Sequence, residues 1–225
     1  VSGRGGATGE GSRPAGGGRD PAGEIRMRRL AALEALYPRF EDERTVVVTI
    51  MGAVAAELQS LGHRPSFFYL QHAMGLASSI GLGIALCRPE LTVVVLDGDG
   101  SVLMNLGGLT TLGRYRPPNL VHIVFDNESL LSVGGFPTAT ATGADLAGIA
   151  AAADVPRIER ADTPEDVLAA FDRATGSGEL TTIVAKVEAH YTVPAGAVGF
   201  VTPLGLLENR FQFARHLETL KGPRP

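Results

Sequence analysis

The chain has 225 residues, a formal net charge of −4 and 44% hydrophobic residues. That composition supports a core for one domain, or one domain with extensions. Its 20 Lys and Arg against 24 Asp and Glu give no reason to expect nucleic acid or an anionic membrane as partner. A single cysteine, Cys87, excludes an intrachain disulfide and a cysteine-built metal cluster, and no apolar run reaches the ~18 residues that span a bilayer.

Residues 1–24 hold nine glycines with Pro14 and Pro21 and read as a flexible leader before a domain at 25–221. The leader lacks the apolar core of a secretion signal, so the expected location is cytoplasmic. A helix is predicted over 25–37, then a buried β-branched strand over 45–50, a short helix over 53–61 and a strand over 66–70. A helix over 75–86 follows, in which small residues (Ala77, Ser78, Gly81, Ala85) suit a close neighbour and Cys87 reads as a small buried hydrophobe. Residues 92–96 form a third strand, 106–112 a helix ending before Pro117-Pro118, and 120–125 a fourth strand. The stretch 127–143, rich in Ser, Gly and Thr, reads as a binding loop. Beyond it come a helix over 145–153, an edge strand over 157–159 and a helix over 164–174 capped by Thr163. A last strand over 181–187 and an amphipathic helix over 204–220 complete the chain. Alternating strand and helix predict an α/β fold, a three-layer αβα sandwich with a mostly parallel sheet.

The third strand delivers Asp97-Gly98-Asp99-Gly100-Ser101, and the fourth delivers Asp126-Asn127. Glycines let backbone approach a phosphate, and an acid with an amide oxygen suits a hard cation such as Mg²⁺. Of Asp97 and Asp99, one is expected to meet the cation and the other to hold the turn. The 26 residues between Gly100 and Asn127 accommodate one crossover helix and the next strand. Asp99 and Asn127 therefore stand at the carboxyl ends of two strands. The amides of Gly100 and Ser101 are placed to hydrogen-bond phosphate.

Gly98-Asp99-Gly100 followed by Asp126-Asn127 resembles the diphosphate-binding motif of thiamine-diphosphate enzymes. Separated blocks extend the resemblance: Phe68-Tyr69-Leu70, residues 74–83, residues 97–107 and residues 132–138. Together they are similar to the beta subunit of sulfopyruvate decarboxylases and the C-terminal half of phosphonopyruvate decarboxylases. The resemblance implies thiamine diphosphate and Mg²⁺ as cofactors. It makes Asp99, Asn127 and the Ser129 carbonyl the metal ligands, with Gly98, Gly100 and Ser101 at the diphosphate. Met74 becomes an apolar wedge that bends the cofactor, against the plainer reading of core filling. The His72 carbonyl becomes an acceptor for its amino group.

His72 stands where the family has Gly, Leu130 where it has Tyr, and Phe136 where it has Gln. The His72 side chain reads either as a catalytic acid–base group or as an outward-packing residue. Arg64 is a candidate contact for an anionic substrate tail or a solvated arginine, His122 a packed strand residue, and His190 and Tyr191 candidates to approach the site. The resemblance also implies an activating glutamate from a pyrimidine-binding domain. Glu57 and Glu128 have no such domain around them here, so a separate alpha subunit is the expected partner, in an α2β2 or larger assembly. The expected reaction is decarboxylation of a small anionic 2-oxo acid. A carboligase subunit resembling acetolactate synthase and a non-catalytic subunit keeping the fold are the alternatives.

Overall fold

The computed structural model describes residues 26–190 and 204–220. The chain opens with α1 (Arg29–Leu36), β1 (Thr45–Thr49), α2 (Ala53–Ser60), β2 (Phe67–Tyr69), α3 (Ala77–Cys87) and β3 (Thr92–Gly98). It continues through α4 (Asp99–Met104), α5 (Gly107–Tyr115), β4 (Leu120–Asp126), β5 (Ser129–Leu130) and β6 (Phe136–Pro137). The remaining elements are α6 (Leu146–Ala152), β7 (Arg157–Ala161), α7 (Pro164–Ser177), β8 (Thr181–Lys186) and α8 (Leu206–Thr219).

Six strands form one parallel sheet in the order β2-β1-β3-β4-β8-β7, and β5 and β6 form a separate antiparallel ribbon. Helices α1, α2 and α7 pack together, as do α3, α5 and α6. Covered strands explain the uninterrupted burial of Val46-Val47-Val48 and of β4 from Leu120 to Asp126. The predicted three-layer α/β sandwich is the one observed.

Most predicted elements are present with ends moved by a few residues. Thr163 caps α7 by accepting from the Asp166 N–H (3.1 Å), and Gly178 ends that helix in a left-handed conformation. Residue 25, where the first helix was predicted to start, lies outside the described residues. Two differences matter. The glycine-rich segment after β3 winds into α4, and the 127–143 connection folds into the ribbon, with one tight helical turn between its two strands and another after β6. Cys87 is exposed, because the last residue of α3 falls on the outer side of the helix with Gly83. Among the described residues, no helix is long and apolar enough to cross a membrane.

The strand order fixes where a ligand belongs. From β1 the chain leaves through α2 towards β2. From the adjacent β3 it leaves through α4 and α5 towards β4, on the other side. Such a divergence opens a crevice at the carboxyl ends of the two strands.

Candidate functional site

A cavity of about 350 Å³ occupies that crevice. It is lined by Met51 and Gly52 after β1, by Gly98, Asp99, Gly100 and Ser101 after β3, by Asn127 and residues 129–133 after β4, and by Met74 and Arg29. Gly98 is in register with Phe125, so the two strands end together and set Asp99 beside Asp126 and Asn127. Every residue expected at the cofactor or the metal except His72 lines this cavity.

Asp97 and Asp99 divide because β3 ends at Gly98 and Asp99 opens α4; two residues apart on a continuing strand they would share a face. Asp97 turns into the core, accepting from the Gly98 N–H (2.9 Å) with its second oxygen 3.4 Å from His122 Nε2. His122 is fully buried, the packed residue expected of it. Asp99 turns to the cavity and is only 2% exposed. Burial raises its pKa. The Thr138 hydroxyl bond works against that rise, and the nearby charge of Asp126 adds to it. No ion pair to Asp99 exists among the described residues.

Two threonines that sequence reasoning missed hold this carboxylate. Thr138 Oγ1 donates to Asp99 Oδ2 (2.6 Å), and Thr140 Oγ1 donates to Asp126 Oδ1 (2.7 Å). The two hydroxyls are 2.8 Å apart. Two hydroxyl protons therefore serve three short contacts. Asp126 Oδ2 takes a hydrogen bond from Lys186 Nζ (2.7 Å), which also bonds Glu128 (2.8 Å). Burial works against the Lys186 ammonium, yet these two carboxylates outweigh it and keep its pKa above the ordinary value. Glu128 is likewise opposed by burial but held below its ordinary value by Arg26 and Lys186.

The Asn127 carboxamide oxygen accepts from the Ser129 N–H (3.0 Å). Pro137 stands directly across the ribbon from Ser129 and has no N–H to offer its carbonyl. The turn carrying Met74 is fastened to α4. Ser101 Oγ accepts from the Gly75 N–H and Asn105 Nδ2 donates to the Gly75 carbonyl, both at 2.9 Å. The φ of +84° at Gly75 is one that side chains rarely adopt. Asn105 lay within the 97–107 block, but nothing in its spacing announced this contact.

Other expectations fare differently. His72 is exposed, with a left-handed φ of 54°, donates its N–H to Met51 Sδ (3.2 Å) and does not line the cavity. Arg64 precedes β2, at the amino end of a parallel sheet whose site is at the carboxyl end. Its guanidinium lies 4.3 Å from the Tyr37 ring centroid and pairs with Glu41. His190 is exposed and Tyr191 lies outside the described residues. Glu57 receives two hydrogen bonds from Arg29 (2.8 and 3.0 Å), both residues being buried, so neither Glu57 nor Glu128 is an uncommitted acid.

A buried carboxylate without a cationic partner, a side-chain amide and a main-chain carbonyl form a donor set that suits a small hard cation. Glycine backbone beside it suits phosphate. No group of three His, Cys, Asp or Glu side chains capable of holding a metal occurs among the described residues, so one carboxylate with neutral oxygens is the available chemistry. The fold is of the open α/β type, with its cavity at the carboxyl ends of the strands where such sheets bind ligands. Residues 49–185 match the thiamine pyrophosphate enzyme C-terminal TPP binding domain, and the chain belongs to that family.

The chain is 43% identical over 161 residues to phosphonopyruvate decarboxylase of Streptomyces viridochromogenes, covering 72% of this chain and 39% of the relative. It is 34% identical over 166 residues to sulfopyruvate decarboxylase subunit beta of Methanococcus maripaludis, covering 74% of this chain and 87% of that subunit. The chain thus spans about two fifths of the phosphonopyruvate decarboxylases it matches. Among solved structures, benzoylformate decarboxylase from Polynucleobacter necessarius superposes with a TM-score of 0.62 at 19% identity, covering 78% of this chain and 36% of that one. The 4-hydroxybenzoylformate decarboxylase of Rhodococcus jostii RHA1 gives 0.61 at 23%, covering 73% and 33%. At these identities the structures speak for the fold.

Proposed function

We propose that this chain is the diphosphate-binding beta subunit of a heteromeric, cytoplasmic 2-oxo acid decarboxylase dependent on thiamine diphosphate and Mg²⁺. The observation that carries the reading is the convergence of Asp99, Asn127 and Ser129 on one cavity at the switch point of the sheet, with Asp99 buried and lacking a cation. Asp99, Asn127 and the Ser129 carbonyl hold the metal, and backbone from Gly98 to Ser101 receives the diphosphate. Met74, its turn fastened by Ser101 and Asn105, would offer the cofactor's ring system an apolar contact. When bound, the cofactor supplies a cationic ring that stores the electron pair left by the departing CO₂.

The chain's own residues bind, orient and exclude water. The apolar stretch Leu130, Leu131 and Val133 walls one side of the cavity. Glu57 and Glu128 are each committed to basic partners, which supports a separate alpha subunit as source of the activating glutamate. The beta-subunit relatives support the same arrangement. The His72 carbonyl remains our assigned acceptor for the cofactor's amino group. Its exposed side chain enters no step we assign.

The test is calorimetry of thiamine diphosphate binding with and without Mg²⁺, using the full chain with its co-purified partner. Asp99→Ala is expected to abolish the Mg²⁺-dependent component and the release of CO₂ from 2-oxo acids. Unchanged affinity in that variant overturns the ligand assignment.

A further inference from the structure

We infer that Thr138 and Thr140 are positioning residues for the cation site, an inference that rests on the metal role proposed above for Asp99. The two hydroxyls sit on the loop leaving β6, are buried, and lie 39 and 41 residues from Asp99 in sequence. Three of their contacts reach the three groups assigned to the metal, directly or through a neighbour. Thr138 Oγ1 bonds Asp99 Oδ2 at 2.6 Å, with Thr140 Oγ1 3.3 Å from the same oxygen. Thr140 Oγ1 bonds Asp126 Oδ1 at 2.7 Å, fixing the end of β4 from which Asn127 follows. The Thr138 N–H bonds the Glu128 carbonyl at 3.1 Å, fixing the residue that precedes Ser129.

A carboxylate at the start of a six-residue helix is free to turn about two side-chain torsions. Hydroxyl bonds to one of its oxygens remove that freedom and leave the other oxygen's direction set. The contact between the hydroxyls, at 2.8 Å, makes the pair a single brace between the ends of β3 and β4. This is how outer groups hold metal ligands elsewhere, and their loss typically weakens a metal by ten- to a hundredfold. A brace that only ordered residues 127–143 would raise stability without touching the metal requirement.

The experiment measures thiamine diphosphate binding to the full chain, with its co-purified partner, across a Mg²⁺ series, alongside the melting temperature without metal or cofactor. Thr138→Val keeps the shape and deletes the hydroxyl. It is expected to raise the Mg²⁺ concentration at half-maximal binding by about tenfold or more, with affinity recovering at saturating Mg²⁺. Thr138→Ser, which restores the hydroxyl, is expected to return the midpoint to within about threefold of the parent. Thr140→Val carries the same comparison if Thr138→Val does not accumulate as folded protein. A valine variant that melts earlier but keeps the parental Mg²⁺ midpoint overturns the inference, as does a serine variant no better than valine. If Asp99→Ala retains Mg²⁺-dependent binding, the metal assignment itself falls, a result distinct from either.

Discussion

Asn209 of α8 seals one edge of the sheet, and replacing it tests whether that seal matters. β2 is one of the two edge strands, and Asn209 is only 3% exposed against it. Its Oδ1 accepts from the Tyr69 N–H at 2.9 Å and its Nδ2 donates to the Phe67 carbonyl at 2.8 Å, the bonds a further strand would make. In Asn209→Leu both backbone groups lose their partner and water is kept out by the larger apolar side chain. Each buried orphan costs about 1–3 kcal/mol, and the added apolar burial returns roughly 1 kcal/mol, for a net loss of about 3 kcal/mol. For a chain of this size that corresponds to a melting temperature roughly 6–12 °C lower. Urea unfolding reads it as a lower midpoint at unchanged slope. Asn209→Asp keeps the acceptor but sets a buried carboxylate oxygen against the Phe67 carbonyl, so near neutral pH it should cost at least as much as leucine. A leucine variant within about 1 kcal/mol of the parent would show that the edge is satisfied by other means, and the reasoning would fail.

Gly113→Ala tests the contact of α5 with the end of α6. A Cβ there would enter the space of the Ala153 carbonyl, backbone that cannot swing aside, so a loss of about 1–3 kcal/mol is expected in place of the usual helix gain; a thermal melt showing stabilisation refutes it. Asp145→Ala removes the cap of α6, an acceptor for the Ala147 N–H at 3.2 Å, and should cost about 1 kcal/mol at neutral pH. Arg160, bonded to that carboxylate, holds its pKa below the ordinary value, so the stabilisation is fully present above the usual carboxylate range and is lost as pH falls below it through the lowered folded-state value. The difference between parent and variant should accordingly shrink in acid, and a constant difference in urea melts at both pH values contradicts the assignment.

What could be read beforehand followed local periodicity and strand ends. The β-branched runs announced the central strands, and a strand's carboxyl end announced where Asp99 and Asn127 would meet. What escaped depends on distance in sequence. Thr138 and Thr140 meet Asp99 only after the ribbon folds back, and neither residue type nor spacing signals it. The GDG segment carries glycines that disfavour helix, yet packing against β3 and β4 winds it into α4. Of the two readings of Arg64, the substrate contact could have been set aside beforehand: it precedes its strand, so a parallel sheet carries it to the far end. Cys87 turned on helix phase, which a short apolar stretch rich in glycine does not disclose.

The Arg29–Glu57 pair, shut away where α1 meets α2 beside the cavity, constrains how this chain can diverge. Deleting one partner strands an uncompensated charge, a loss of about 3–5 kcal/mol, whereas exchanging both for apolar side chains is often harmless. Lineages descending from it should therefore inherit the two positions as one character, either both ionic or both greasy, with mixed forms scarce because the intermediate step is steep.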